Sequence, residues 1–197
     1  MFWTRRKRTP PAITAWTYIL LILLFVAVKA ALLWALGRPL ACAPCSLVFW
    51  PEHPAGQRSS RYFADWYSAS HVIYGALVAW VLFRTSRHWP AGWLFVAAAF
   101  ASVGWELVEN TPWVIERFGA GKTGAVYRGD SILNSVGDTV FVLAGFALAR
   151  VMPVAATVAL ILGLEVAAAF AIRDGLLLST LMFILPVDAI GRWQGGL

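Results

Sequence analysis

Five long apolar segments limit this chain to a small set of folds. They run over Ile13–Leu36, Tyr67–Phe83, Ala91–Asn110, Leu133–Ala149 and Val154–Ile172. A helix needs about 20 apolar residues to cross the hydrocarbon core of a bilayer, and these segments have close to that length. Backbone groups in lipid must find their hydrogen bonds inside the protein, which favours helices. The pattern therefore predicts an all-α, polytopic membrane helix bundle.

A shorter apolar segment, Leu176–Leu185, ends at Pro186. This segment is either a re-entrant piece or a sixth span whose helix continues through Ile190. The predicted organisation is five transmembrane helices plus this short C-terminal segment. A basic tail over residues 1–12 precedes a single helix-bundle domain over residues 13–197.

The composition supports the same class. The chain is 60% hydrophobic and 13% charged, whereas soluble domains average about 25% charged residues. The net charge of +6 comes from basic residues spread over many loops, without a stripe of interleaved aromatic residues. This distribution argues against nucleic acid as a partner and fits a positive inner rim of a membrane protein. The expected partners are membrane lipids, with other membrane protein subunits as a further candidate.

The basic residues also predict an orientation. Arg5, Arg6, Lys7 and Arg8 precede the first span and favour a cytoplasmic N-terminus. The loops Gly37–Trp66 and Thr111–Ile132 then lie outside the membrane, on the periplasmic or exterior side.

Ionisable residues inside apolar segments form the candidate functional site. Such residues are costly in a membrane and usually face a shared interior. Nearly all of the acidic ones fall at one predicted end of the bundle, and they are Glu106, Glu109, Asp130, Asp138, Glu165 and Asp174. His71 lies near the start of the second span. Asp130, Asn134 and Asp138 repeat every four residues, which predicts a polar stripe on one helix face.

We expect one pocket at the outer face, with Arg173 at its rim, formed by His71, Glu106, Glu109, Asp130, Asn134 and Asp138. The candidate catalytic residues are His71, Glu106, Asp130 and Asp138. The candidate substrate-binding residues are Glu109, Asn110, Asn134, Arg173 and Asp174. Carboxylates with one imidazole suit Mg²⁺ or Mn²⁺, with Zn²⁺ as a further candidate, and the predicted ligands are His71, Glu106 and Asp130. The alternative is a hydrogen-bonded network that fixes helix packing and performs no chemistry.

Two further charged residues lie within apolar segments. Lys29 is expected to extend its ammonium outward from the first span. Glu165 is expected to pair with Arg173 or Lys29.

Cys42 and Cys45 are the only cysteines, spaced C-x-x-C in a predicted outer loop. In an oxidising compartment this spacing is compatible with a disulfide or with thiol exchange. Exchange enzymes in membranes usually use two pairs, so a structural disulfide is the favoured interpretation. A zinc site that includes His53 is a third alternative.

Four motifs carry a resemblance to a known family. They are ADWYSASHVIYG (64–75), GWELVENTPWVIERF (104–118), GDSILNSVGDT (129–139) and IRDGLLLSTLMFILPVDAIGRWQ (172–194). The chain from about Gly37 to its C-terminus resembles a family of uncharacterised alphaproteobacterial membrane proteins. The resemblance implies a multi-pass protein of the bacterial inner membrane and no established activity. The polar positions that match the family are Asp65, His71, Glu106, Glu109, Asn110, Asp130, Asn134, Asp138, Arg173 and Asp174.

The sequence departs from the family pattern at two places. Tyr74 stands where relatives resemble S-H-x-x-H-G with a second histidine, and the region of Cys42 and Cys45 differs from C-x-C-G. Losing an imidazole one turn from His71 would weaken a two-histidine metal site.

Two functions follow from these observations. The first is an enzyme that acts on a lipid or lipid-linked substrate at the outer leaflet, by metal-assisted hydrolysis or transfer. The second is a non-catalytic accessory or assembly subunit of a larger membrane complex.

Overall fold

The computed structural model describes residues 9–41, 49–50, 59–119 and 127–195. In these residues all regular structure is helical, which confirms the predicted all-α class. A short 3₁₀ helix at Ser59–Arg61 accompanies eight α-helices: α1 (Ala15–Ala35), α2 (Ser68–Thr85), α3 (Ala91–Glu109), α4 (Pro112–Gly119), α5 (Ile132–Val151), α6 (Val154–Ile172), α7 (Leu176–Ile184) and α8 (Asp188–Gln194).

Four helices, α1, α3, α5 and α6, are long and apolar enough to cross a membrane. Helix α2 occupies the position of the second predicted span, and its 18 residues are less apolar than those of the other four. The five-span count is therefore not confirmed. The ends of all five long helices lie within about two residues of the predicted ends, because the apolar runs themselves fix the helix lengths.

The C-terminal segment is divided into two short helices. Helix α7 ends at Ile184, Leu185 has extended backbone angles, and α8 begins at Asp188. Pro186 explains the break, because proline disfavours helical angles in the residue before it. The alternative of a sixth span that continues through Ile190 is wrong, since the nine residues of α7 extend only about 14 Å.

Helix α4 lies in the Thr111–Ile132 segment that the sequence assigned to an outer loop. It packs against α7, where Trp113 and Phe118 both contact the ring of Phe183. Nε of Arg117 also donates a hydrogen bond to the carbonyl oxygen of Phe183, at 2.9 Å. The segments that follow α3 and α6 are therefore joined at one end of the bundle.

The most extensive helix packing joins α2 to α5. A Cβ atom added at Gly75 would collide with the backbone carbonyl of Val142, and one added at Gly145 would collide with the carbonyl of Val72. Small residues at such a crossing let two membrane helices approach closely. These two glycines bring the backbones of α2 and α5 together.

The apolar core and the polar residues occupy opposite ends of the bundle. Ala79, Leu94, Ala98 and Phe146 form a buried apolar cluster from the end of α2, the start of α3 and the end of α5. At the other end, the same three helices carry buried polar side chains.

Candidate functional site

A buried polar cluster joins three helices at this end. His71 comes from α2, Glu106 from α3 and Asp138 from α5, and all three side chains are buried. Nδ1 of His71 lies 3.7 Å from Oε1 of Glu106, and Nε2 lies 3.6 Å from Oδ1 of Asp138. Both distances exceed those of ordinary hydrogen bonds. The imidazole therefore lies between two carboxylates, and we call these three residues the central trio.

Three carboxylate oxygens of the central trio lack hydrogen-bond partners among the described residues. Among the described residues, neither Glu106 oxygen nor Oδ1 of Asp138 accepts a hydrogen bond of normal geometry. The Ser135 hydroxyl lies beside Glu106 without meeting that geometry. Burying a carboxylate without a partner is costly. A bound cation would offset this cost.

The donor set fits a divalent ion. Each residue of the trio can offer one ligand atom such that all three atoms lie within 4.8 Å of one another. In a tetrahedral site with bonds of about 2.1 Å, ligand atoms lie about 3.4 Å apart. Side-chain adjustments of about 1 Å would therefore complete a three-ligand site. Within the described ranges, no other cluster of His, Cys, Asp and Glu reaches this spacing.

Lys29 is a fourth ionisable residue beside the trio. Its side chain is fully buried, and Nζ donates to the Ser135 carbonyl at 2.5 Å and to the Thr139 hydroxyl at 2.6 Å. Its main electrostatic partners are Glu106 and then Asp138. The expectation that Lys29 extends outward is wrong, because α5 offers acceptors and nearby carboxylates within the bundle.

Asp130 belongs to a separate hydrogen-bonded group. Its Oδ2 accepts from Nδ2 of Asn110 at 2.9 Å and from the Tyr127 hydroxyl at 2.7 Å, and its amide donates to Oδ1 of Asn110. Burial raises the pKa of Asp130, and the bonds from Tyr127 and Asn110 partly oppose that rise. Asp138 therefore occupies the place beside His71 and Glu106 that the sequence assigned to Asp130.

The predicted polar stripe holds only within the helix. Helix α5 begins at Ile132 with Ser131 as its N-cap, so Asp130 precedes the helix and lies off the four-residue repeat. Asn134 and Asp138 are both buried on α5. The side chain of Asn134 donates to the Tyr62 carbonyl at 2.9 Å, which ties α5 to the segment before α2.

Asp65 is a buried acid that only the family resemblance had marked. Its Oδ1 accepts hydrogen bonds from the amides of Tyr67 and Ser68 at the start of α2, while Oδ2 has no partner among the described residues. Burial, followed by the charge of Asp130, raises the pKa of Asp65 to about 7.

Glu109 is half-buried and interacts electrostatically with Asp130, Glu106 and Asp65. Asp65 and Glu109 therefore lie within electrostatic range of both the trio and Asp130.

Asp174 and Arg173 connect the C-terminal helices. Asp174 is buried and accepts hydrogen bonds from the side chains of Tyr67, Ser179 and Gln194. Arg173 has left-handed backbone angles at the end of α6 and donates to the carbonyl of Trp193 in α8. Their predicted substrate-binding roles stay predictions.

Glu165 does not follow its expected pairing. Its carboxylate accepts from the amide of Leu177, at 3.3 and 3.4 Å, in the first turn of α7. It therefore supports a helix N-terminus, where negative charge is favourable. Its expected partners are engaged elsewhere, Lys29 with α5 and Arg173 with α8.

Tyr74, at the position of the relatives' second histidine, faces α3. Its hydroxyl donates to the carbonyl of Ala101 at 3.3 Å, and Glu106 lies close enough to interact electrostatically.

Cys42 and Cys45 lie outside the described residues, so their predicted disulfide stays a prediction.

Comparison with known proteins places the chain among close relatives. A UPF0314 protein of Sphingopyxis alaskensis is 41% identical over 87% of this chain and 91% of its own length. A UPF0314 protein of Brucella anthropi is 39% identical over 90% of both chains. The corresponding protein of Paracoccus denitrificans is 38% identical over 88% of this chain and 91% of its own length. No solved structure matches the chain.

These matches confirm the resemblance to an uncharacterised alphaproteobacterial family. The family model described as "Protein of unknown function (DUF2585)" matches residues 33–196, which include every residue of the central trio. The chain therefore belongs to the DUF2585 family, together with these UPF0314 proteins.

Proposed function

We propose that this protein is a membrane-embedded enzyme that acts on a lipid or lipid-linked substrate at the outer leaflet of the bacterial inner membrane. The reaction is metal-assisted hydrolysis or group transfer at the headgroup. A divalent ion is held by His71, Glu106 and Asp138.

The central trio is the observation that carries this proposal. It contains two buried carboxylates on either side of one buried imidazole, and three of the carboxylate oxygens accept no hydrogen bond from the described residues. A purely structural polar network is expected to pair its buried groups, because each unpaired buried group costs free energy. The trio leaves three carboxylate oxygens without hydrogen-bond donors among the described residues, which favours a cation site over helix packing alone.

The depth of the trio suits a headgroup substrate. His71 lies one turn from the start of α2, Glu106 about one turn from the end of α3, and Asp138 about two turns into α5. At 1.5 Å of rise per residue, these positions lie roughly 5–10 Å below the helix ends. A lipid headgroup at the membrane surface can reach this depth. The basic N-terminal residues, by the positive-inside rule, support placing this end on the periplasmic side.

The ion would supply Lewis-acid activation of a water molecule. Asp130 remains the acid–base candidate next to the trio, with its proton position influenced by Tyr127 and Asn110. The proposed substrate-binding residues are those expected from the sequence: Glu109, Asn110, Asn134, Arg173 and Asp174.

The test is metal analysis combined with a lipid hydrolysis assay. Full-length protein purified in lipid nanodiscs is analysed by elemental mass spectrometry and incubated with phospholipids and lipid-linked phosphates. The proposal expects about one divalent ion per chain and metal-dependent headgroup release that is lost in His71→Ala. Tyr74→Phe is the matched control, because it changes a neighbouring aromatic residue outside the trio. Absence of metal from the wild type, together with absence of turnover, would overturn the proposal.

One observation favours the second candidate function, an accessory subunit. Helix α6 exposes small residues at every fourth position, namely Ala155, Ala159, Gly163 and Ala167. A Cβ atom added at Gly163 meets nothing within 4 Å. Exposed small residues at this spacing are typical of faces that pack against another membrane helix. Ala159→Leu would release a partner subunit if this candidate is correct, while leaving metal content unchanged.

A further inference from the structure

Lys29 is unusual within its own helix. Helix α1 buries only Lys29 and Leu33, and the rest of its surface is exposed or half-exposed. A lysine near the end of a membrane helix ordinarily extends towards the headgroups. This one instead places its ammonium inside the bundle, about two turns from the end of α1.

The ammonium is held in place by α5. Nζ donates to the Ser135 carbonyl and to the Thr139 hydroxyl, which also accepts a hydrogen bond from the Ser102 hydroxyl at 3.0 Å. Both direct partners are uncharged. The balancing negative charge comes from Glu106 and Asp138, neither of which forms an ion pair with Lys29 within 4.0 Å in the described residues.

This arrangement has a direct electrostatic consequence. In the empty site, Lys29 is the cation that interacts electrostatically with both carboxylates of the trio. In a loaded site, the same ammonium would lie close to a divalent cation, and the two would repel each other. Such repulsion is large in a membrane interior, because the low local dielectric screens it weakly.

We propose that Lys29 is the resident counter-cation of the Glu106–Asp138 pair, and that a divalent ion binds the trio in competition with its charge. Lys29 is thus a positioning residue that stabilises the empty site and weakens metal binding. The inference rests on the proposed function, because it requires the trio to be a metal site.

The two roles of a buried lysine predict opposite results. If Lys29 only holds helices together, its removal loosens the trio and weakens metal binding. If Lys29 opposes the metal by charge, its removal strengthens metal binding. Lys29→Gln separates these outcomes, because its amide keeps a hydrogen-bond donor near Ser135 and Thr139 and loses the charge.

The experiment measures the Kd for Mn²⁺ alone with full-length protein in nanodiscs, by electron paramagnetic resonance of free Mn²⁺. Lys29→Gln is expected to lower the Kd about tenfold or more. Thr139→Val is the matched control. It removes one partner of the ammonium and keeps the charge, so its Kd is expected within about threefold of the wild type. Thermal unfolding shows that each variant is folded.

The outcomes distinguish the inference from the proposed function. Unchanged or weaker Mn²⁺ binding by folded Lys29→Gln, with normal wild-type binding, overturns the role of Lys29 and leaves the metal site intact. Binding by Lys29→Gln alone supports the role of Lys29 and overturns a resident metal in the wild type. If neither protein binds Mn²⁺, both proposals fail. Should Lys29→Gln not fold, Lys29→Arg keeps the charge, and tighter Mn²⁺ binding by Lys29→Arg would also overturn the inference.

Discussion

Nε2 of His71 lies 3.6 Å from Oδ1 of Asp138, a distance too long for a hydrogen bond and too short for a water molecule to fit between them. The other ring nitrogen faces Glu106 at a similar distance of 3.7 Å. Neither nitrogen is therefore committed to a partner in the trio, and either can serve as a ligand. This relationship leads to the first prediction.

His71→Ala is expected to weaken the binding of Mn²⁺ or Zn²⁺ at least about 100-fold, because removing a direct ligand costs more than removing its supporting partners. The thermal unfolding midpoint is expected to change little, since His71 forms no hydrogen bond through its side chain within the described residues. Titration calorimetry in nanodiscs measures the affinity. Retention of one metal ion per chain by folded His71→Ala would contradict the prediction.

The two aspartates near α5 are expected to respond differently to substitution. Asp130→Ala leaves the Tyr127 hydroxyl and one N–H of the Asn110 side chain without an acceptor, at about 1–3 kcal/mol for each group, while Asn110 keeps its bond to the Glu106 carbonyl. This variant should have a lower thermal unfolding midpoint than the wild type and a metal affinity within a few-fold of the wild-type value. Asp138→Ala removes a carboxylate whose Oδ1 accepts no hydrogen bond. It should remove metal binding and change the midpoint less. Loss of metal in Asp130→Ala alone would reverse this assignment.

The contrast between these aspartates shows how far the sequence could lead. The four-residue spacing of Asp130, Asn134 and Asp138 predicted one polar stripe, and the glutamate and histidine of the trio were both expected in the pocket. Spacing alone could not show that α5 begins after Asp130, because the N-cap at Ser131 depends on a local hydrogen bond to Asn134. The choice between the two carboxylates depends on how α2 and α3 pack against α5.

Lys29 and α4 are two other features that the sequence alone could not predict. A lysine in an apolar run has the same sequence pattern whether it faces headgroups or buried carboxylates, and only the packing of α1 against α3 and α5 distinguishes them. Helix α4 is short and amphipathic, and it lies between long apolar segments. Its contacts with Phe183 come from a segment more than sixty residues away in the sequence, so no local signal marks it. The long helices were predictable because each apolar run is a local property.

Asp65 predicts a pH dependence of stability. Its folded pKa of about 7 lies above the unfolded value of 3.8. Between these values the folded state holds a proton that the unfolded state has released. The contribution of Asp65 to the free energy of unfolding is therefore complete below pH 4 and is lost as the pH rises through 7. The full effect is up to about 4 kcal/mol, at 1.36 kcal/mol per pKa unit.

Asp65→Asn tests this dependence, because asparagine keeps the oxygen that accepts from Tyr67 and Ser68 and cannot ionise. The fall in the unfolding midpoint between pH 5 and pH 8 is expected to be smaller in this variant than in the wild type. The comparison between the two proteins removes contributions from the other acids. Equal falls in both proteins would show that Asp65 does not titrate in this range.

Gly75 should be intolerant of any side chain. Gly75→Ala places a Cβ against the Val142 backbone, which can move only if α2 and α5 separate. We expect a loss of about 1–3 kcal/mol from overpacking, larger than the gain of roughly 0.5–1 kcal/mol from helix propensity. Gly104→Ala is the matched control in α3, because its added Cβ meets nothing within 4 Å. Equal unfolding midpoints for the two variants would contradict the close α2–α5 crossing.

The orientation of the bundle decides which side of the membrane a substrate must reach. Because His71, Glu106 and Asp138 lie at the same end as α4, a reporter on α4 marks the side of the site. Glu116 on α4 and Thr85 at the end of α2 are both exposed, and their replacement leaves the number of Lys and Arg residues unchanged. Single cysteines at these positions, in a background with Cys42 and Cys45 replaced by serine, therefore report the orientation without altering its determinants.

With a cytoplasmic N-terminus, a membrane-impermeant maleimide is expected to label Glu116→Cys in cells whose inner membrane is intact. Thr85→Cys is expected to react only after that membrane is permeabilised. The opposite pattern would place the trio at the cytoplasmic face, where its metal could still bind but an outer-leaflet substrate could not reach it. Labelling of both positions in intact cells would place both ends of α3, the helix that lies between them, on one side of the membrane. Since α3 is long and apolar enough to cross a membrane, that result would contradict the orientation and remove α3 from the count of spans.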